Sequence, residues 1–175
     1  MLEAKIRMEL QRSMMLAGLE YHHPEDSKRT DTGRPDILCI NGAVVEVKKI
    51  DELIRKEPWF DPTKISNTQR RQLDYYCFGR VFLTFLAIGT TFGNPRRLWV
   101  IPWTDWVAME YALQHKNPDK FRIQLSDLES FTEYEMTWDK GGIWTFPSDH
   151  PILRIVMPRH ENEWKAISIR FPEDK

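Results

Sequence analysis

Apolar and polar positions change their period several times along the chain, and each change marks an element. Leu2, Ile6, Leu10 and Met14 recur near every 3.6 residues, which predicts a helix over 2–17 stopped by Gly18. A first strand is predicted over 19–23, followed by an exposed polar loop over 24–33. Between Gly33 and Lys48 two short apolar runs flank Asn41-Gly42, the strongest hairpin signal in the chain. Residues 49–65 make a connection long for a compact domain. Within it, 51–57 has the pattern of a short helix ended by Pro58, and Trp59-Phe60 sit between prolines. Ser66 and Gln69 carry the signature of a capping box; the helix they open bears Leu73, Tyr76 and Cys77 on one face and closes at Gly79. The apolar run 81–88 has the length of a strand buried on both faces, and 98–101 predicts another. Thr104 is placed to cap a helix to about His115, carrying Trp106, Val107 and Leu113. Beyond it, 121–171 reads as short β-like pieces that either continue the sheet or form a β-rich appendage.

Helix, strand, hairpin, helix, strand, strand is an α/β order, and it predicts a mixed central β-sheet flanked by helices. The expected division is a core over 1–103 and a helical and β-rich extension over 104–175 that packs on the core. At 175 residues, 41% hydrophobic and 29% charged, the chain can bury a sizeable core as an ordinary globular protein does. Its net charge of -1 hides an uneven spread: residues 48–97 hold 10 basic and 5 acidic side chains, between flanks that lean acidic. Such a stripe is compatible with a phosphate backbone and equally with a solvated face. Cys39 and Cys77 both lie in apolar runs and predict buried thiols in a reducing compartment. The charged start Met-Leu-Glu-Ala-Lys-Ile-Arg does not read as a signal peptide, and no apolar run is long enough to span a bilayer. The expectation is an intracellular protein, cytoplasmic or nucleoid-associated, with no membrane partner.

The hairpin carries the candidate chemistry. Asp36 enters its first strand, and Glu46 and Lys48 lie near the end of the second, among Ile37, Leu38, Val44, Val45 and Val47. Charges on apolar strands are costly unless they meet each other, a metal or a substrate. Glu46 and Lys48 share a strand face because the side-chain period is two. A strict two-residue turn at Asn41-Gly42 sets Asp36 against Val47, on the wrong side of the sheet. A three-residue loop Ile40-Asn41-Gly42, with Gly42 at positive φ as a bulge, sets Cys39 against Ala43 and Asp36 against Glu46. Two carboxylates so placed suit Mg²⁺, which binds through a few carboxylates, waters and phosphate oxygens. An ammonium beside them can orient a water or stabilise charge on a phosphate in flight.

Pro35-Asp36 followed after a hairpin by Glu46-x-Lys48 resembles the PD-(D/E)xK, or restriction-endonuclease-like, nuclease superfamily, and the element order over about residues 1–90 is similar to its core. Glu3 is similar to the helical glutamate that many members add to the metal site. Ile65-Ser66-x-x-Gln69-Arg70 is similar to the helix opening in the VRR-NUC and Holliday-junction-resolvase-like branches. The resemblance implies a restriction-endonuclease-like core and a metal-dependent DNA endonuclease hydrolysing phosphodiester bonds. Asp36, Glu46, Lys48, Gln69 and Glu3 would be catalytic, with Asp36, Glu46 and Glu3 on Mg²⁺, for which Mn²⁺ can substitute. DNA is the implied partner, with branched DNA favoured over a sequence-specific site, and resolvases of this superfamily work as homodimers. A small viral or mobile-element nuclease with its own C-terminal extension fits the same pattern.

Lys49, Lys64, Arg70 and Arg71 are candidates for phosphate contacts, and Trp59 for stacking on an unpaired base. Each has a bland counterpart: Gln69 closes a capping box, and the arginines form a solvated helix face. Glu9 and Glu20 compete with Glu3 for the helical role. His22-His23 cannot aim two rings at one metal from a strand, which weighs against zinc. The rival functional class is a catalytically inactive nucleic-acid or protein-binding module on the same fold; a third is an unrelated α/β protein whose hairpin matches by accident.

Overall fold

The computed structural model describes residues 2–19, 21–22, 35–39, 42–50, 58–79, 83–90, 96–118 and 121–154. The predicted loop over 24–33, the helix over 51–57, Glu20 and the segment from 155 onward lie outside them. Helix α1 (Leu2–Leu16) buries Ile6, Leu10 and Met14. It ends where the periodicity predicts: Gly18 takes φ +78°, its N–H donates to Met15 O, and the Leu19 N–H donates to Met14 O at 2.9 Å. That pair of bonds is a Schellman stop, and Leu19 and Met14 are both buried in the same core cluster.

The central sheet has five strands: β1 (Tyr21–His22), β2 (Ile37–Cys39), β3 (Ala43–Lys49), β5 (Leu83–Gly89) and β6 (Leu98–Pro102), side by side in that order. β1, β2 and β3 pair antiparallel, β3 and β5 parallel, and β5 and β6 antiparallel, so the sheet is mixed and the protein is α/β. The crossover from β3 to β5 passes through β4 (Trp59–Phe60), a 3₁₀ turn at Pro62–Lys64, helix α2 (Asn67–Asp74) and a π-helical turn at Tyr75–Gly79.

Both faces of the sheet are covered, which explains the nearly unbroken apolar run of β5. Val45 and Val47 meet α1 on one face, while Val44, Leu86 and Ile88 meet Leu73 of α2 and the tryptophans of α3 (Trp103–Lys116) on the other. Ile37 pairs with Val45 and Leu38 with Val44. Extended by one step each way, this register sets Cys39 against Ala43 and Asp36 against Glu46. It is the register of the three-residue loop, with Gly42 at φ +91° and its N–H donating to Cys39 O at 3.0 Å.

Two local expectations need correction. Thr104 does not cap α3: the helix starts two residues earlier than that cap would set, at Trp103 after Pro102, and the Thr104 hydroxyl bonds the neighbouring Asp105. Trp59 is not in a loop, because β4 pairs with β7 (Ile123–Gln124). The described part of the tail does not extend the central sheet with further strands. After the short helix α4 (Leu125–Leu128), β8 (Thr137–Trp138) pairs with β9 (Trp144–Thr145), and the link to β6 is an isolated bridge between Trp99 and Glu135. The tail is nonetheless sewn to the first helix, since the Trp144 N–H donates to Ser13 Oγ at 2.9 Å. No helix among the described residues is long and apolar enough to cross a membrane.

His150 locks this tail to the sheet. Its ring is fully buried among Phe85, Tyr134 and Phe146, and Nδ1 accepts from the Ile152 N–H. The proton must therefore sit on Nε2, which donates to Val100 O at 2.7 Å. Burial of this neutral ring pushes its pKa down to about 4. Between pH 6.5 and 4 the unfolded chain binds a proton that the folded chain refuses, so acidification in this window lowers stability. The expected contribution is about 1.4 kcal/mol per pH unit. Urea denaturation across that range should show it, and a His150→Asn variant should lose that part of the slope.

Candidate functional site

Glu46 and Lys48 occupy alternate positions of β3 on the face that looks toward α2, and both are buried, 2% and 6% exposed. Isolated charges at such depth would be prohibitive; here they satisfy one another, Lys48 Nζ donating to Glu46 Oε1 at 2.7 Å. Gln69 closes on the same oxygen from α2, its Nε2 donating to Glu46 Oε1 at 2.5 Å. Its other end does the capping: Oε1 accepts the Ser66 N–H at 3.0 Å while the Ser66 hydroxyl accepts the Gln69 N–H. Gln69 thus closes the capping box and reaches the Glu46 carboxylate at once. The capping box fixes the amide, and the fixed amide orients the carboxylate.

Asp36 stands at the start of β2. Its Oδ2 accepts the Val47 N–H at 2.8 Å, so the side chain takes up a backbone donor of β3. Its Oδ1 faces Arg7 Nη1 at 3.7 Å, across from α1. Burial raises the Asp36 pKa, against the pull of the Val47 N–H, Lys48 and Arg7. Burial also raises Glu46, to about 7, with the Asp36 charge adding to the rise and Lys48 opposing it. Glu3, in the first turn of α1, pushes both carboxyls the same way, which places it within electrostatic reach of the pair. The structure therefore brings Asp36, Glu46, Lys48, Gln69 and Glu3 to one region between α1 and α2. A narrow crevice bounded by Pro35, Glu46, Gln69, Gln72, Leu73 and Tyr76 runs beside them.

Arg7 was not among the residues picked out from the sequence. The available signal was helical spacing: it lies one turn beyond Glu3 and so shares its face. The rival Glu9 is engaged elsewhere, in a two-pronged ion pair with Arg96 at 2.9 and 2.8 Å.

The donor set suits a hard divalent cation. Asp36 and Glu46 could supply oxygen ligands, and the mutual repulsion of the two buried carboxyls is what a cation relieves. Among the described residues no three His, Cys, Asp or Glu side chains are grouped so that they could hold a metal ion. Mg²⁺ needs no such group, because it keeps several waters and takes up substrate oxygens.

The predicted DNA contacts divide. Arg70 is consumed inside the protein: it pairs with Glu110 through both terminal nitrogens, Nη1 to Oε2 at 2.7 Å and Nη2 to Oε1 at 2.5 Å. It also donates to Pro62 O and Ile65 O, leaving little to offer a phosphate. Arg71 is exposed on α2, while Lys49 and Lys64 are half-buried. Trp59 is half-buried, and the Arg122 guanidinium lies over its ring at 4.2 Å from the centroid. The basic stripe over 48–97 shrinks correspondingly, since Arg96 pairs with Glu9 and Arg97 with Glu129 and Glu135. Both cysteines are free; burial pushes the Cys39 thiol up to about 12, so it is inert. No family model, curated protein or solved structure matches this chain.

Proposed function

We propose that the chain is a metal-dependent deoxyribonuclease that hydrolyses phosphodiester bonds, built on a restriction-endonuclease-like core of the PD-(D/E)xK kind. One observation carries the reading: a hairpin register that sets Asp36 against Glu46, with Lys48 and Gln69 both bonded to the Glu46 carboxylate. An antiparallel hairpin followed by a helical crossover to a parallel strand also supports that core. Asp36 and Glu46 would hold Mg²⁺, with the Glu3 charge within electrostatic reach, and the ion when bound neutralises phosphate charge and acidifies a water.

The chain's own residues have separable tasks. Gln69 and the capping box hold Glu46 in one orientation, so nothing need reorganise when substrate arrives. Lys48 supplies a fixed positive charge beside the carboxylates, where a phosphoryl oxygen gains charge. Arg7 balances Asp36 from the α1 side.

The test is to incubate the purified chain with end-labelled linear, nicked, flapped and four-way DNA, in Mg²⁺ and in chelator. Cleavage of at least one substrate in Mg²⁺ alone is expected. Binding without cleavage of any substrate in Mg²⁺ or Mn²⁺ would favour the inactive module on the same fold.

A further inference from the structure

Two cations attend the carboxylates of the proposed site, and they are held in different ways. Lys48 is buried, and its Nζ donates to Glu46 Oε1 at 2.7 Å. Arg7 comes from α1 with 41% of its side chain exposed, and its Nη1 stands 3.7 Å from Asp36 Oδ1. That separation is beyond a hydrogen bond, so charge alone joins the two groups. A half-exposed pair of this kind adds little to stability, and the fold does not depend on it.

Nor does Asp36 need Arg7 for its orientation. Its Oδ2 accepts the Val47 N–H at 2.8 Å, which ties the carboxylate to β3, while Oδ1 faces the guanidinium. Charge around the pair is finely balanced. Asp36 and Glu3 both raise the Glu46 carboxyl and Glu3 raises Asp36, whereas Lys48 and Arg7 pull Asp36 down. Of the two cations, Lys48 is committed to Glu46. Arg7, half in water, can swing aside without stranding its own charge. It cannot be neutralised by losing a proton, so its charge stays beside Asp36 until the side chain moves.

We propose that Arg7 is an exchangeable counter-ion that competes with the divalent cation for Asp36 and so limits how tightly the DNA-free chain loads its metal. This rests on the metal site of the nuclease reading and adds a control on its occupancy. A second cation at the same carboxylate meets the repulsion of the guanidinium, so binding requires Arg7 to rotate away. Removing the guanidinium removes that cost.

The experiment titrates Mn²⁺ into the full-length chain without DNA at low ionic strength, following the free ion by electron paramagnetic resonance. Arg7→Gln should bind Mn²⁺ about tenfold more tightly than wild type, the scale of removing one charge beside a divalent ion at a half-exposed position. Arg7→Lys keeps the charge and should stay within about threefold of wild type. Arg12→Gln removes an equal charge from an exposed position of the same helix and should stay within about twofold. Far-ultraviolet circular dichroism should be unchanged in all three, because neither arginine is buried. Equal or weaker binding by Arg7→Gln would overturn the inference. So would an equal gain in Arg12→Gln, which would trace the effect to net charge.

Glu46→Gln separates this inference from the reading beneath it. Wild-type binding that falls at least about tenfold in Glu46→Gln, with no gain in Arg7→Gln, would keep the metal site and remove the competitor. Mn²⁺ binding that is absent from wild type and Arg7→Gln alike, or that Glu46→Gln leaves intact, would remove the site and the inference together. The expected gain in a chain that cuts no DNA would sustain the competition and remove the nuclease.

Discussion

Lys48→Ala should lower Mg²⁺-dependent cleavage by about 10²–10³-fold, the scale of removing one preorganised charge-stabilising donor. The loss should fall on kcat with little change in KM, because in the proposed role the ammonium would act on charge that develops during reaction. Its position supports so large an effect: Nζ is 2.7 Å from Glu46 Oε1 in a site shielded from water, where electrostatic interactions are strong. Folding should survive. Glu46 already has a pKa raised to about 7, and without Lys48 it rises further, so the carboxyl takes a proton instead of remaining as a bare buried charge. Lys48→Arg should not rescue, since a broad guanidinium cannot occupy the slot of a buried ammonium. Single-turnover kinetics with near-ultraviolet circular dichroism as the folding control would check both halves.

Arg70→Ala should leave DNA affinity nearly unchanged but destabilise the fold by about 3 kcal/mol, at the low end for breaking a buried ion pair because Arg70 is partly exposed. The substitution strips Glu110 of its two-pronged partner and leaves two backbone carbonyls, Pro62 O and Ile65 O, without their guanidinium donor. Glu110 is only 8% exposed, so the abandoned carboxylate is costly. Pairing Arg70→Met with Glu110→Leu should recover most of the loss, because an apolar pair of similar volume removes both charges together. Urea denaturation measures the stability. A phosphate-binding Arg70 would behave differently, weakening DNA binding and reducing its salt dependence by about one unit of slope.

These two residues also show what a sequence can and cannot disclose about this fold. Lys48 was legible because strand parity and an Asn-Gly turn are local facts. Counting from Gly42 settles which side chains share a face, and the bulged register follows from requiring Asp36 to meet Glu46. The capping box was legible for the same reason, three residues deciding their own geometry. Arg70 was not, because a cation on a helix looks alike whether its partner is a phosphate or a carboxylate 40 residues away on α3. The partner of Glu9 was hidden for the same reason, since Arg96, which holds it, lies far along the chain. Trp59-Phe60 and Ile123-Gln124 are strands of two residues, too short to show any period, so their pairing left no trace. The tail hid its role for a similar reason. Ser13 to Trp144 and His150 to Val100 are contacts between distant segments that no local pattern announces.

Glu46 is the centre of the proposed site, since Lys48, Gln69 and the Asp36 pairing meet there and the proposed cation would too. The most direct measurement is single-turnover cleavage by Glu46→Gln, which keeps the shape and removes the charge. With Mg²⁺ and saturating enzyme, its rate should fall by at least about 10³-fold while binding of the same DNA in chelator stays within about twofold of wild type. Cleavage by Glu46→Gln at the wild-type rate, or wild-type cleavage that persists undiminished in chelator, would contradict the assignment of this site.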